Sequence, residues 1–389
     1  MNRVNETGEE LCLKPIHLNR RDVLTGFKSL RQKHPELVIV DQYDRNLEEL
    51  FLLRNPKHRF IKKYSKSFNA FARAHYAGKK KESIGSWFYY PWLNQLVHFL
   101  PDKIHQELRT GRNKHLITEK EQKKFYEAKI GVLGMSVGSH AAIVIAMTGG
   151  AKHIKIADPD TLSGDNLNRI RNGFQNVGVS KTVAVARQIY ELNPYSKVEV
   201  FIDGITKKTM SRFLNGLDLL VEEMDDPFMK INVRHAARQL QLPVIMAGDN
   251  GDGIIVDVER FDIEKKRKIL HGIMGDITPE SFDSMSPEDL PKIMTKIVGS
   301  NLVTNRVLGS VTEVGQSIYS WPQLGTAANM CGSVLAYLAR HIVLEDPKMK
   351  SGRYDVSLDA IFEHGYHSAT RKEARKNERT KILEKMGLL

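Results

Sequence analysis

The chain has 389 residues, 41% of them hydrophobic and 27% charged, which excludes a mostly disordered chain, a collagen-like repeat and a disulfide-rich miniprotein. Lysine and arginine number 58 against 46 acidic residues, and the resulting charge of +12 allows a nucleotide, a nucleic acid or an acidic protein as partner. Only two cysteines, no apolar run of roughly 18 residues and no apolar signal core together predict a cytoplasmic protein with no disulfide framework, no thiolate zinc site and no membrane span.

Residues 1–105 combine short amphipathic patterns with an aromatic stretch, and we expect them to form a mainly helical accessory region. The crowded aromatic residues Trp87–Tyr90 are typical of a packed interior and also suit ligand stacking. The expected elements are helices at 21–33, Asp44–Leu53 and Trp92–Leu100 and a strand at Leu37–Asp41.

Apolar strand patterns alternate with helical patterns across residues 106–345. This alternation predicts an α/β fold with a largely parallel sheet that is covered by helices on both faces. Strands are expected at Ile130–Leu133, His153–Ala157, Val198–Phe201, Leu217–Val221, Val244–Ala247 and Gly253–Phe261. Helices are expected at Ser139–Thr148, Lys181–Leu192, Lys207–Leu214 and Met229–Leu240, and a buried helix at Ala327–Leu344.

Residues 346–389 are expected to form a basic helical tail. Its charged part, Arg371–Lys385, contains seven basic and three acidic residues. Such a pattern is typical of a solvated helix with ion pairs between successive turns, and it also suits a helix that faces phosphates or a partner.

A strand-to-helix junction at Gly134–Ser139 has the composition of a phosphate-binding loop. Gly134 and Gly138 allow a tight turn and the close approach of a ligand, while the free N–H groups at Ser139 and beyond face an anion. In the usual GxGxxG pattern of dinucleotide-binding folds, a glycine stands at the position of Ser136, and the loop is one residue longer than it is here. On its own, this junction also fits a plain turn that binds nothing.

The next predicted strand ends in two acidic residues, Asp158 and Asp160. In a nucleotide-binding strand–helix–strand unit, an acid at this carboxyl edge can hydrogen-bond the ribose hydroxyls. The loop and the acids together therefore favour a nucleotide, with NAD and ATP equally possible.

Arg169 and Lys181 follow the acids and help to distinguish an ATP site from an NAD site. Phosphoryl chemistry needs cations where charge develops on the α-phosphate and on departing pyrophosphate, whereas hydride transfer does not. An arginine can fork onto phosphate oxygens, and a lysine supplies a point charge. Another strand ends in an acidic run that includes Asp225 and Asp226, and carboxylates that face a triphosphate are favourable only with a divalent cation between them. This order predicts ATP with Mg2+.

The same order of residues resembles the ThiF/MoeB adenylyltransferases, relatives of the ubiquitin-activating enzymes, over residues 106–345. The resemblance implies a Rossmann-like sheet flanked by helices, in which Asp225 or its neighbour Asp226 holds magnesium. It also implies nucleotide-binding roles for Asp158, for the segment with Asn166, Asn168 and Arg169, and for Lys181.

Arg109–Asn113 has the form of the arginine segment that precedes the glycine loop in that family. The resemblance implies that Arg112 crosses a twofold interface to the ATP of a partner subunit, and therefore a homodimer. Together with Gly134–Ser139, the segments Trp321–Gln323 and Trp87–Trp92 resemble a bacterial branch of the family. Some members of that branch are fused to a nitroreductase-like domain, and no such domain is apparent in this sequence.

The chain departs from the family pattern at cysteine. Some relatives hold zinc with two CxxC pairs, which two cysteines cannot make, so no zinc is expected. Cys331 lies in an apolar helical stretch and is expected to be a buried structural thiol, and Cys12 is little better as a nucleophile. Adenylylation is therefore expected without a cysteine thioester.

The expected reaction is attack of a carboxylate on the α-phosphate of ATP, which gives an acyl-adenylate and pyrophosphate. Arg112, Arg169, Lys181 and magnesium would neutralise the developing charge. The resemblance favours a protein or peptide C-terminus as acceptor. The alternatives are a tRNA base that bears a carboxylate, an NAD(P)-binding oxidoreductase, and a non-catalytic scaffold.

Overall fold

The computed structural model describes residues 12–18, 23–61, 63–275 and 302–386, together with residues 278, 297 and 299. The chain divides into two compact units. The first unit contains residues 1–122 and 186–196, and the second contains residues 123–185 and 197–389. Because these units interleave along the chain, the domain limits expected at residues 105 and 345 stay a prediction.

The first unit contains a four-stranded sheet in the order β1-β3-β4-β2. Strand β3 pairs antiparallel with β1 and β4, and β2 pairs parallel with β4. Its elements are β1 (Ile16–His17), α1 (Val23–Lys33), β2 (Val38–Val40), α2 (Tyr43–Arg54), α3 (Ser65–Tyr76), β3 (Ser86–Tyr90), β4 (Gln95–Phe99) and α4 (Asp102–Arg109). Helix α5 (Glu119–Glu127) includes the first boundary between the units.

The predicted helix at Trp92–Leu100 is wrong, because this stretch forms a turn followed by β4. Asn94 adopts a positive φ of 50°, which reverses the chain so that β4 lies beside β3. Leu96 and His98 are buried and alternate with partly exposed neighbours, as the two-residue period of a strand requires. The ring of His98 stacks on Trp87 at 4.0 Å, so this part of the aromatic stretch packs within the unit.

The second unit contains a seven-stranded sheet in the order β11-β10-β9-β8-β5-β6-β7. The five strands from β9 to β7 in this order are parallel. Strand β10 pairs antiparallel with β9, and β11 pairs antiparallel with β10 at one edge of the sheet. The elements of this unit up to β10 are β5 (Lys129–Leu133), α6 (Val137–Met147), β6 (His153–Ala157), α7 (Lys181–Leu192), β7 (Lys197–Phe201), α8 (Lys207–Leu214), β8 (Leu219–Glu222), α9 (Pro227–Gln239), β9 (Val244–Asn250) and β10 (Gly253–Glu259). These are followed by α10 (Asn305–Ser310), α11 (Gly325–Val343), β11 (Gly352–Ser357), α12 (Leu358–Phe362) and α13 (Ala369–Lys385). Helix α7 includes the second boundary between the units, because its residues from 186 onwards belong to the first unit.

The expected α/β, Rossmann-like architecture is confirmed, and each strand and helix predicted between residues 106 and 345 overlaps an observed element. The central strands read as unbroken apolar runs because both of their faces are buried, as at Ile130, Val132 and Leu220. Helix α11 packs against α6, and a Cβ on Gly332 would lie only 2.3 Å from the Cβ of His140. Across the described residues, no helix is long and apolar enough to cross a membrane.

The C-terminal region contains a strand that the sequence did not predict. Strand β11 pairs antiparallel with β10 at the edge of the sheet, and its residues are half-buried or exposed, which explains why it shows no apolar run. The predicted basic helix is present as α13, where Ile382 and Leu383 pack against a cluster that includes Leu308. Residues 352–386 are therefore part of the second unit.

Candidate active site

The glycine loop lies between β5 and α6, at the carboxyl edge of the parallel sheet. Gly134 has a φ of +81°, and a Cβ at this position would lie 2.3 Å from the carbonyl oxygen of Glu223. Both the backbone conformation and the contact therefore require glycine. Downstream, the Ser139 hydroxyl donates to the carbonyl of Ser136 at 2.7 Å, which fixes the first turn of α6.

Asp158 holds this loop in place from the end of β6. One carboxylate oxygen accepts the N–H of Met135 at 2.5 Å, and the other accepts the N–H of Asp160 at 2.8 Å. Burial raises the pKa of Asp158, and the Met135 N–H and the charge of Lys181 oppose that rise. Each oxygen of an ionised carboxylate can accept a further hydrogen bond, so a ribose hydroxyl can still bind there.

Lys181 is brought to the same edge by the start of α7. Its ammonium group lies 2.8 Å from a carboxylate oxygen of Asp160, and its backbone N–H donates to the Asp160 carbonyl at 3.0 Å. The lysine side chain is 10% exposed, whereas the Asp160 side chain is 64% exposed. The aspartate can thus turn towards solvent when an anion replaces it beside the lysine.

Arg169 follows a short 3-10 turn, Gly164–Asn168, which a capping box between Ser163 and Asn166 closes. The guanidinium donates from one terminal nitrogen to the Asn168 side chain at 3.0 Å. The backbone carbonyl of Arg169 accepts from Nε2 of His140 at 2.5 Å. Because burial lowers the pKa of His140, the ring is neutral near pH 7 and must carry its proton on Nε2 to make this bond.

Three buried polar atoms in this part of the sheet edge have no hydrogen-bond partner among the described residues. They are Oγ of Ser136, Nε of Arg169 and Nδ1 of His140. A buried donor or acceptor without a partner is unfavourable by about 1–3 kcal/mol, and native proteins rarely retain one. Two of these atoms belong to the predicted phosphate loop and the predicted phosphate-binding arginine, so a bound nucleotide can supply the missing partners.

The acidic run that begins at the last residue of β8 contains both buried and exposed carboxylates. Glu222 is fully buried and forms ion pairs with Lys230 and Arg234, while Arg234 also binds Glu259 at 2.7 Å. Burial acts to raise the pKa of Glu222, but the charges of Lys230 and Arg234 hold it below its usual value. These four groups form a structural network that the sequence analysis did not identify.

Asp225 and Asp226 are both exposed at the end of this run. The carboxylate of Asp226 caps α9, accepting the N–H groups of Phe228 at 2.8 Å and Met229 at 3.2 Å. Within the described parts of the chain, no group of three or more His, Cys, Asp or Glu side chains gathers to hold a metal ion. Of the two predicted magnesium ligands, Asp225 is the better placed, because the carboxylate of Asp226 already caps α9.

Asp249 and Gln323 lie next to the site, and the sequence predicted a site role for neither of them. Asp249 lies near the end of β9 and accepts from Nε2 of Gln323 at 3.1 Å and from the thiol of Cys331 at 3.5 Å. Burial is the largest influence on Asp249 and raises its pKa to about 6; the charge of Arg169 lowers it and that of Asp225 raises it. An acid after an apolar strand was the signal for Asp158 and Asp225, and the same signal could have found Asp249.

Cys331 is fully buried, as expected for a structural thiol. Burial and the neighbouring carboxylates Asp249 and Glu223 raise its pKa far above the usual range, so it does not ionise near neutral pH. Arg112 lies in the first unit, exposed on a 3-10 turn at Gly111–Asn113, and its predicted role stays a prediction.

Three relatives show how the sequence compares with known proteins. The chain is 34% identical over 282 residues to Uncharacterized protein MT1398 of Mycobacterium tuberculosis, which covers 72% of this chain and 39% of that protein. It is 31% identical over 150 residues to the tRNA threonylcarbamoyladenosine dehydratase of Escherichia coli, covering 38% of this chain and 55% of that protein. It is 29% identical over 110 residues to the adenylyltransferase and sulfurtransferase UBA4 of Lodderomyces elongisporus, covering 28% of this chain and 24% of that protein.

The chain thus spans about half or less of the length of each of these relatives. A family model also matches the chain: the model of the ThiF family matches residues 110–380. That match contains the glycine loop, the Asp158 edge, the Arg169 turn and Lys181 in one continuous stretch. The chain belongs to the ThiF family.

Proposed function

We propose that the chain is an ATP-dependent adenylyltransferase that activates a carboxylate as an acyl-adenylate. The observation that carries this proposal is the pair of buried atoms without partners, Oγ of Ser136 and Nε of Arg169, at the loop and the arginine that the family match contains. Phosphate oxygens are strong acceptors and would satisfy both. The same observation gives no reason to place a nicotinamide there.

The proposed step forms a bond between a carboxylate oxygen and the α-phosphorus of ATP and breaks the bond to the bridging oxygen of pyrophosphate. Two anions must approach each other, so the barrier falls most where positive charge is already in place. Arg169 would bind the phosphates directly, and Lys181 would exchange its exposed partner Asp160 for a phosphate oxygen. The N–H groups at the start of α6 would hold the phosphates in the loop, and Asp158 would bind the ribose.

We assign the magnesium ion of this reaction to Asp225. Bound there, magnesium would neutralise charge on the triphosphate, and oxygen ligands suit it. Asp226 is less suited, because one of its two carboxylate oxygens already accepts two backbone N–H groups.

No cysteine thioester takes part in the proposed reaction. Cys331 is buried and its pKa is raised, so it lacks the thiolate that a nucleophile requires. The activated carboxylate would instead be consumed by a nucleophile bound from outside the chain. A protein or peptide C-terminus is the favoured carboxylate, as the resemblance to the ThiF/MoeB adenylyltransferases implies.

A carboxylate-bearing tRNA base is the second candidate, and one observation favours it. The relative with 31% identity is named for dehydration of threonylcarbamoyladenosine in tRNA. The basic helix α13 adds positive charge that RNA phosphates would attract, and such binding weakens as salt is raised.

Arg112 is proposed to act on the ATP of a second copy of the chain, so that each site is built from two subunits. Its exposure on the first unit leaves the guanidinium accessible to a partner. A twofold dimer would place two such arginines symmetrically.

Pyrophosphate exchange tests the proposed function. The full chain is incubated with ATP, magnesium and labelled pyrophosphate, with either a set of peptides that end in a free carboxylate or tRNA that carries threonylcarbamoyladenosine. Exchange with the free peptides and none with the same peptides amidated at the C-terminus supports the favoured candidate. Exchange with the tRNA alone supports the second candidate, and bound NAD(P) without any exchange contradicts both.

A further inference from the structure

The turn that carries Arg169 is held by a second segment of the chain, Tyr319–Gly325, which we call the strap. A 3-10 turn such as Gly164–Asn168 has poor internal hydrogen-bond geometry, so its position depends on what surrounds it. At the start of the turn, the hydroxyl of Ser163 donates to the carboxylate of Asp165, and the strap residue Tyr319 adds to Ser163 in lowering the pKa of that carboxyl.

The other end of the turn meets the strap at two further points. The side-chain amide of Asn168 donates to the backbone carbonyl of Gln323 at 2.8 Å. A Cβ on Gly325 would lie 2.6 Å from the carbonyl oxygen of Asn168, so the two backbones touch. The strap thus lies along the whole length of the turn that positions Arg169.

Gln323 also connects the strap to the sheet. Its side-chain amide donates to a carboxylate oxygen of Asp249 at 3.1 Å, at the end of β9. Gln323 therefore hydrogen-bonds the turn that carries Arg169 through its backbone carbonyl, and it hydrogen-bonds the edge of the sheet through its side chain. Cys331 supports the other oxygen of Asp249 from α11.

We propose that Gln323 is a positioning residue for phosphate binding: by tying the Arg169 turn to Asp249 on the sheet, it fixes Arg169 where the phosphates of ATP bind. The inference rests on the proposed function, because it assumes that Arg169 binds ATP. An arginine that is already ordered loses less conformational entropy on binding, so the contact raises ATP affinity without touching the ligand.

Calorimetric titration of the full chain with ATP and magnesium tests this role. Gln323→Leu removes the side-chain bond and should weaken ATP binding about tenfold, the effect of losing one hydrogen bond to a charged group. Gln316→Leu is the matched control, since Gln316 is exposed in the preceding segment, and it should bind ATP as the unmodified chain does. Thermal unfolding of both variants checks that they fold.

Two substitutions of Asp249 separate positioning from a general loss of structure. In Asp249→Asn the amide oxygen can still accept from Gln323, so ATP affinity should stay within about twofold of the original. Asp249→Leu should weaken binding as much as Gln323→Leu, and the double variant should be no weaker than either. Unchanged affinity in Gln323→Leu, or equal losses in Asp249→Asn and Asp249→Leu, would overturn the inference. Absence of ATP binding by the unmodified chain would instead overturn the proposed function.

Discussion

The ends of β6 and β8 look alike in the sequence and differ in the structure. Each is an apolar strand followed by acids at the same edge of the sheet. After β6, Asp158 shapes the glycine loop, and Asp160 pairs with Lys181 from a largely exposed position. At the end of β8, Glu222 forms ion pairs with Lys230 and Arg234 in a buried network. The same pattern therefore accompanies structural charge at β8 and, at β6, charge that we propose binds the nucleotide, and the partners from neighbouring elements distinguish the two.

The largest expected effect concerns the buried network. Arg234→Met leaves Glu222 and Glu259 buried without their shared cation, which should lower the free energy of unfolding by about 3–5 kcal/mol. Urea unfolding measures this change. Arg238→Met on the same helix is the matched control. The side chain of Arg238 is only partly buried and makes one long hydrogen bond within the described residues, so we expect a loss of less than about 1 kcal/mol. Equal losses in the two variants would contradict the structural role of the network.

At the other strand end, Lys181→Ala should remove about 2–4 kcal/mol of transition-state stabilisation. The rate of pyrophosphate exchange should therefore fall roughly 30- to 1,000-fold. The free energy of unfolding should change little, because the lysine's partner Asp160 is largely exposed. Lys208→Ala, an exposed lysine on α8, is the control and should retain full exchange.

The same variant tests whether the site is shared between subunits. Arg112→Ala should be as inactive as Lys181→Ala, and mixing the two should restore activity if Arg112 acts across a dimer interface. In mixed dimers one site receives both intact residues, so about a quarter of all sites should work after full subunit exchange. A mixture no more active than its parents, once exchange of subunits is verified, would rule out the shared site.

Substitutions of Asp225 and of Asp226 should have different effects, one on catalysis and the other on helix capping. Asp225→Ala should remove magnesium-dependent exchange and leave stability unchanged, because its carboxylate is exposed. Asp226→Ala should keep exchange and lower stability by about 1 kcal/mol, since it removes the cap of α9. Exchange measured against magnesium concentration, with urea unfolding alongside, distinguishes the two. Full activity in both variants would refute the metal assignment.

The smallest effect is expected at the cysteines. The Cys12→Ser, Cys331→Ala double variant should keep both pyrophosphate exchange and overall turnover, because no thioester is proposed. Cys331 is buried, so a modest loss of stability is expected. Loss of turnover with exchange preserved would reveal a covalent step.

The sequence predicts the parallel sheet well because its strands are apolar on both faces and its helices carry clear periodicity. It fails at β4, where an aromatic run with helical spacing turns at Asn94 and pairs with β3, and at the half-exposed edge strand β11. At the site it predicts Asp158, Arg169 and Lys181 from their order, and their roles in nucleotide binding stay predictions. The roles of Gln323 and Arg234 depend on contacts with residues distant in the sequence or on burial, which composition and spacing do not record.

The most direct test of the proposed site is a crystal structure of the chain with ATP and magnesium. We expect the triphosphate in the Gly134–Ser139 loop, with phosphate oxygens hydrogen-bonded to Oγ of Ser136 and to the guanidinium of Arg169, including its Nε. We also expect the ribose at Asp158. A triphosphate bound elsewhere, or bound at the loop with Ser136 and Arg169 still lacking these partners, would overturn the proposed site.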